Sequence, residues 1–167
     1  MFALGVDPGL SRCGYGAVRG AGGRLEAVAF GHLTTSTDDD LSTRLAALWG
    51  DLEDLLDDLR PDVVVVERVL FQVNARTAMS VGQASGLALA AAARRGVPVV
   101  QYSPNEVKLA VTGYGSAGKE QVQAMVAVLL GLDEPPRPAD RADALALAIT
   151  HLSGAGLRQA ASTGAIR

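Results

Sequence analysis

Phe2-Ala3-Leu4-Gly5-Val6-Asp7 and Val63-Val64-Val65-Val66-Glu67 are the stretches that decide how this chain folds. Each is an apolar run of strand length, continuous enough to be covered on both faces, and each closes on a carboxylate. A charge abutting such a run is costly unless it is paired or coordinates a cation. Outward from the first run, Asp7-Pro8-Gly9 makes a turn and residues 13–19 read as a second strand. Gly20-Ala21-Gly22-Gly23 is a hairpin signal into a third strand near 25–34. Beyond a polar loop ending in acids suited to a helix start, Leu41, Leu45, Leu48, Leu52, Leu55, Leu56 and Leu59 recur at helical spacing, with Pro61 after the end. The fourth strand spans 62–67 and a fifth runs from 97 to 101, after the Gly96 stop. Helices are expected over about 74–95, briefly after Ser103, over 119–131, and from about 139 to 152. The pattern predicts a mixed five-stranded α/β sheet, its first three strands antiparallel, with helices on both faces.

At 167 residues the chain reads as one domain, residues 1–153, followed by a small polar tail, 154–167, expected to be flexible. The single Cys13 excludes an internal disulfide framework and a cysteine zinc site, and two histidines, His32 and His151, make a histidine-rich metal site unlikely on composition. The apolar part of MFALGVDPGL is too short for a signal peptide, and no apolar run approaches the ~20 residues that cross a bilayer. The chain is expected to be cytoplasmic. Its net charge of −3 does not by itself suggest nucleic acid, yet arginines outnumber lysines thirteen to two, and the two lysines, Lys108 and Lys119, flank one loop, TGYGSAG.

Four acids carry the chemistry: Asp7 and Glu67 at strand ends, Asp140 and Asp143 at the start of the last helix. Asp140 and Asp143, at i and i+3, share one helix face. Alone, that pair suits a helix dipole, and Asp7 before Pro-Gly suits a turn. Together the four have the makings of a carboxylate site for divalent metal, the chemistry of a magnesium-dependent phosphotransferase or nuclease. Gly113 to Lys119 fits the GxxxxGK part of a phosphate-binding loop, but Glu120 follows where Ser or Thr is needed, so a P-loop ATPase is rejected. No serine or cysteine nucleophile is supported, because neither histidine lies in a triad motif. Gly82, Gly86 and Ala90, four residues apart, let another helix approach closely, inside the fold or across a dimer axis.

LGVDPGLSRCGYG, PDVVVVERVLFQVNARTAMSVGQASG, VKLAVTGYGSAGKEQVQ and ADRADALALAITH, in this order between residues 4 and 151, resemble the sequence blocks of the RuvC family, the bacterial crossover-junction endonucleases. The resemblance implies an RNase H-like fold, a homodimer, and Mg2+ with Mn2+ able to substitute, two ions per site. It implies a structure-selective endodeoxyribonuclease that resolves four-way (Holliday) junctions by paired symmetric nicks, leaving 5′-phosphate ends, with the RuvA–RuvB branch-migration complex as partner. Asp7, Glu67, Asp140 and Asp143 fall at the family's catalytic, metal-holding positions. Asp7 is expected at the centre, Glu67 and Asp143 completing the ion sites, and Asp140 ligating metal or orienting water. Lys108, Lys119 and Arg76 are DNA-binding candidates. Some relatives carry Phe three residues after the glutamate; this chain has Leu70 there and Phe71 next, and both are candidates for acting at the junction. The resemblance also makes the 82–90 stripe a candidate dimer contact. The remaining alternatives are an RNase H-like nuclease on RNA–DNA hybrids or ribosomal RNA precursors, an actin/Hsp70-type nucleotide-binding module, and a junction binder without catalysis.

Overall fold

Along β1 (Phe2–Asp7) alternate side chains enter two different cores. Leu4 and Val6 lie on one face and Ala3 on the other. The computed structural model describes residues 1–68 and 75–164, the side chains of 75–77 and 155–164 excepted. β1 pairs antiparallel with β2 (Arg12–Ala21) and parallel with β4 (Val63–Glu67). β3 (Arg24–Thr34) continues the hairpin beyond β2, and β5 (Val99–Tyr102) runs parallel beyond β4, giving the order β3-β2-β1-β4-β5. Gly22 and Gly23, both at positive φ (56° and 80°), form the two-residue turn between β2 and β3, a geometry matched to the twist of paired strands.

α1 (Leu41–Leu59) starts where Asp40 accepts the Thr43 amide at 2.9 Å. It ends on Arg60 in a left-handed conformation (φ 49°) just before Pro61. Its buried Leu48, Leu52 and Leu56 each contribute roughly 1.5–3 kcal/mol by leaving water. They pack with Ala84, Ala88, Ala91 and Ala92 of α2 (Ala75–Arg94) over Leu4, Val6, Val64 and Val66. Arg95 holds the two helices together, donating to Glu53 at 2.7 Å and to both Asp57 oxygens at 2.7 and 2.8 Å.

The other face carries α3 (Pro104–Thr112), α4 (Lys119–Leu130) and α5 (Ala139–Gly164). Ser103 and Glu106 cap α3 reciprocally, as the serine at that position predicts. Val107, Val122, Val126, Leu145 and Ile149 close this core over Ala3, Val63 and Val65. α5 lies directly against β1 and β2 because the strand residues beneath it lack a Cβ. A Cβ on Gly5 would strike the Ala144 carbonyl oxygen, and one on Gly16 would sit 2.7 Å from Leu145 Cγ.

Element boundaries differ from the sequence reading mainly at the last helix, which continues to Gly164 instead of stopping near 152. Gly154 and Gly156 each cost about 1 kcal/mol against Ala in a helix, but Ala, Leu, Arg and Gln around them are strong helix formers. Gly82, Gly86 and Ala90 are exposed, and a Cβ on either glycine would meet nothing within 4 Å, so among the described residues no helix packs on this stripe. Among the described residues, no helix is long and apolar enough to cross a membrane.

Candidate active site

Strand parity aims the first two acids. Asp7 has the parity of Ala3 and Gly5, and Glu67 that of Val63 and Val65, so both project from the face covered by α5. β1 and β4 are parallel and pair Val6 with Val66, so Asp7 and Glu67 lie side by side at the strands' C-terminal ends. That is the edge at which open α/β sheets bind ligands. Asp140 and Asp143 reach the same place from the first turns of α5. Gly14, the register partner of Asp7, permits this, because a Cβ there would collide with the Asp140 carbonyl oxygen.

Asp7, Asp140 and Asp143 each offer one carboxylate oxygen, and these oxygens lie within 4.8 Å of one another. Glu67 stands outside that trio but lines a cleft of about 350 Å³ together with Asp7, Asp143, Lys108 and Lys119. Burial, then the charges of Asp143, Glu67 and Asp140, push the Asp7 carboxyl up to about 8, with Lys119 opposing. Glu67 is also raised, by burial first and Asp143 second, while Lys119 and Lys108 pull it down. A half-buried acidic cluster in which burial and neighbouring charge hold Asp7 and Glu67 toward their neutral forms is short of positive charge. Oxygen donors in such a cluster suit a hard divalent cation, so the residues present fit the metal that the sequence suggests.

Two cations of the protein itself already lean on this cluster. Lys119 Nζ lies 2.8 Å from Asp143 Oδ2, and that hydrogen bond is the main reason the ammonium's pKa is raised. Arg12 Nη1 lies 3.3 Å from Asp140 Oδ2. The acids, Lys108 and Lys119 are thus brought to one cleft, while Leu70 and Phe71, and the side chain of Arg76, lie outside the described residues. Arg12 was not singled out by sequence reasoning, and no local signal could have found it, since its partner lies 128 positions away. Cys13 is buried nearby with its thiol pushed up to about 12, chiefly by burial, which makes it a poor nucleophile.

Comparison with known proteins agrees with this geometry. Residues 3–151 match the family model described as Crossover junction endodeoxyribonuclease RuvC. The protein of that name from Streptomyces avermitilis is 55% identical over 153 residues, covering 91% of this chain and 87% of its own. The one from Salinispora arenicola is 52% identical over 168 residues, covering 100% and 96%. Among solved structures, T. thermophilus RuvC in complex with Holliday junction substrate is similar at a TM-score of 0.88 and 38% identity, covering 94% of this chain and 96% of that one. A match along nearly the whole sequence, and a mixed sheet of the RNase H-like kind, lead to one assignment: this chain belongs to the RuvC family of crossover junction endodeoxyribonucleases.

Proposed function

We propose that this chain is a metal-dependent endonuclease that resolves four-way DNA junctions by paired, symmetric nicks, serving recombination and repair. The observation that carries the proposal is the gathering of Asp7, Asp140 and Asp143 within 4.8 Å, with Glu67 in the adjoining cleft, in a chain of this family. These four acids would hold Mg2+, with Mn2+ able to substitute and two ions per site. When bound, such ions lower the pKa of an attacking water and stabilise the departing oxygen of a phosphodiester. Asp7, the carboxyl raised furthest by burial and then by the acids around it, is the shared central ligand. Lys119 and Lys108 supply positive charge where the phosphate backbone enters the cleft, so binding falls steeply with salt. The expected products carry 5′-phosphate and 3′-hydroxyl ends.

Two matched strands require two matched sites, which favours a symmetric homodimer. The exposed stripe of Gly82, Gly86 and Ala90, next to an exposed Met79, supports α2 as the contact, since small residues permit close helix approach. The RuvA–RuvB branch-migration complex is the working partner, and the cytoplasm is the expected location. A synthetic mobile four-way junction with magnesium tests the whole reading: two opposed strands are cut, and only with metal. Preference for an RNA–DNA hybrid over the junction would replace this substrate with another one on the same fold.

Cation binding is expected to depend on pH. Without a cation Asp7 stays protonated up to about pH 8, so a cation must displace that proton. Apparent affinity therefore rises with pH and levels off above about 8. Calorimetric titration with Mn2+ at pH 7, in two buffers of different ionisation enthalpy, should show net proton release. Equal heats in both buffers would remove Asp7 from the ligand set.

A further inference from the structure

We infer that Tyr114 is a substrate-contacting residue that stacks on a nucleobase beside the cleavage point; this rests on the junction-nuclease reading above. The chain holds seven aromatic residues, Phe three, Tyr three and Trp one, so each exposed ring is informative. Among the described residues Tyr114 is the only aromatic left exposed, at 60%. The others are occupied. Trp49 lies under the Arg94 guanidinium at 5.6 Å and Phe2 under that of Arg19 at 5.1 Å. Tyr102 is hydrogen-bonded to His151 Nδ1 at 3.2 Å, and Tyr15 and Phe30 pack on the two cores.

The placement of Tyr114 is equally selective. It sits in the loop joining α3 to α4, the two helices that bring Lys108 and Lys119 to the cleft. That loop folds back along the start of α3: a Cβ on Gly115 would lie 3.8 Å from the Asn105 carbonyl oxygen, next to the cleft-lining Pro104. The backbone of Tyr114 is fixed although its ring is free. Its amide donates to Thr112 Oγ1 at 3.2 Å, and its carbonyl accepts the Ala117 amide at 3.1 Å. The Thr112 hydroxyl in turn donates to the Lys108 carbonyl at 2.8 Å, tying the loop to the helix that carries one of the cleft lysines. A ring carried on a fixed backbone, in the loop that joins the two lysine-bearing helices, costs little backbone freedom to engage a ligand. An unstacked base, sequence-tolerant in its π-face, is the partner such a ring suits.

The test uses a four-way junction carrying 2-aminopurine next to the cleavage point. Its fluorescence is read on binding to the Asp7→Asn protein, and cleavage is read with Asp7 intact. Tyr114→Ala is expected to lose the fluorescence change made by the parent and to lower junction affinity and kcat/KM by about 10-fold or more. Tyr114→Phe, which keeps the ring, is expected to restore both, and neither variant should move the thermal midpoint. Wild-type fluorescence change and cleavage in Tyr114→Ala would overturn this inference and leave the nuclease reading intact. Failure of the parent protein to bind or cut the junction would overturn both.

Discussion

Asp7→Asn is expected to abolish junction cleavage while making the cation-free protein more stable at pH 8. The catalytic loss follows from removing the charge of the proposed central ligand, and several kcal/mol of transition-state stabilisation correspond to a fall of about 10³-fold or more. The stability gain follows from linkage. The carboxyl's ordinary value is 3.8 and its folded value is about 8, so the folded chain holds a proton that the unfolded chain has already released across that interval. Stability therefore declines as pH rises from about 4 to about 8, and above that the full penalty applies. Asparagine keeps the shape without the charge and removes the penalty, on the order of 5 kcal/mol at pH 8 and less than about 1 kcal/mol at pH 4. Urea unfolding of both proteins at the two pH values, with chelator present, checks the sign. A mutant no more stable than wild type at pH 8 would show that the fold does not bear the cost of this carboxylate.

Gly5→Ala, one methyl group far from any phosphate, is expected to damage stability and activity together. The new Cβ would run into the Ala144 carbonyl oxygen and lie 3.1 Å from the Ala148 amide nitrogen, both backbone atoms of a buried helix that no rotamer change can move aside. Separating β1 from α5 should cost roughly 1–3 kcal/mol or more, as overpacking does. The same separation pulls Asp140 and Asp143 away from Asp7, and a misplacement of about 1 Å can cost ~10²-fold in rate. Gly50→Ala in α1 is the matched control, since a Cβ there meets nothing within 4 Å and should add up to about 1 kcal/mol of helix stability. Comparing the two in urea and in junction cleavage separates close packing from glycine replacement as such.

What sequence could disclose, it disclosed through local pattern. The alternating faces of β1 and β4, the leucine spacing of α1 and the Gly22-Gly23 turn are short-range signals, and each element stands close to its expected place. Asp7 and Glu67 were legible as acids closing two buried strands; that they are neighbours on one face comes from the parallel pairing of β1 with β4. The cations were not. Lys119 was expected among phosphates, and in the structure it bonds Asp143, while Arg12 bonds Asp140 across 128 positions; neither pairing has a periodicity to betray it. The glycines under α5 were invisible for a related reason. Gly5 and Gly16 look like weak points in strands until the helix that needs their absent side chains is laid on them. The end of α5 escaped because the small, polar residues from 154 onward read as a flexible tail, although Ala, Leu, Arg and Gln among them favour helix strongly enough to continue.

The path of the chain through this site also sets when it can exist. Asp7 belongs to β1, Glu67 to β4, and Asp140 and Asp143 to α5, which is made later than both and also supplies the cover over β1. During synthesis the early strands can collapse on α1 and α2, but the acids have no complete partner set until α5 emerges and seats on Gly5, Gly14 and Gly16. A partly made chain thus lacks the proposed metal site. Its carboxylates come together in one late step, coincident with closure of the core over β1 and β2.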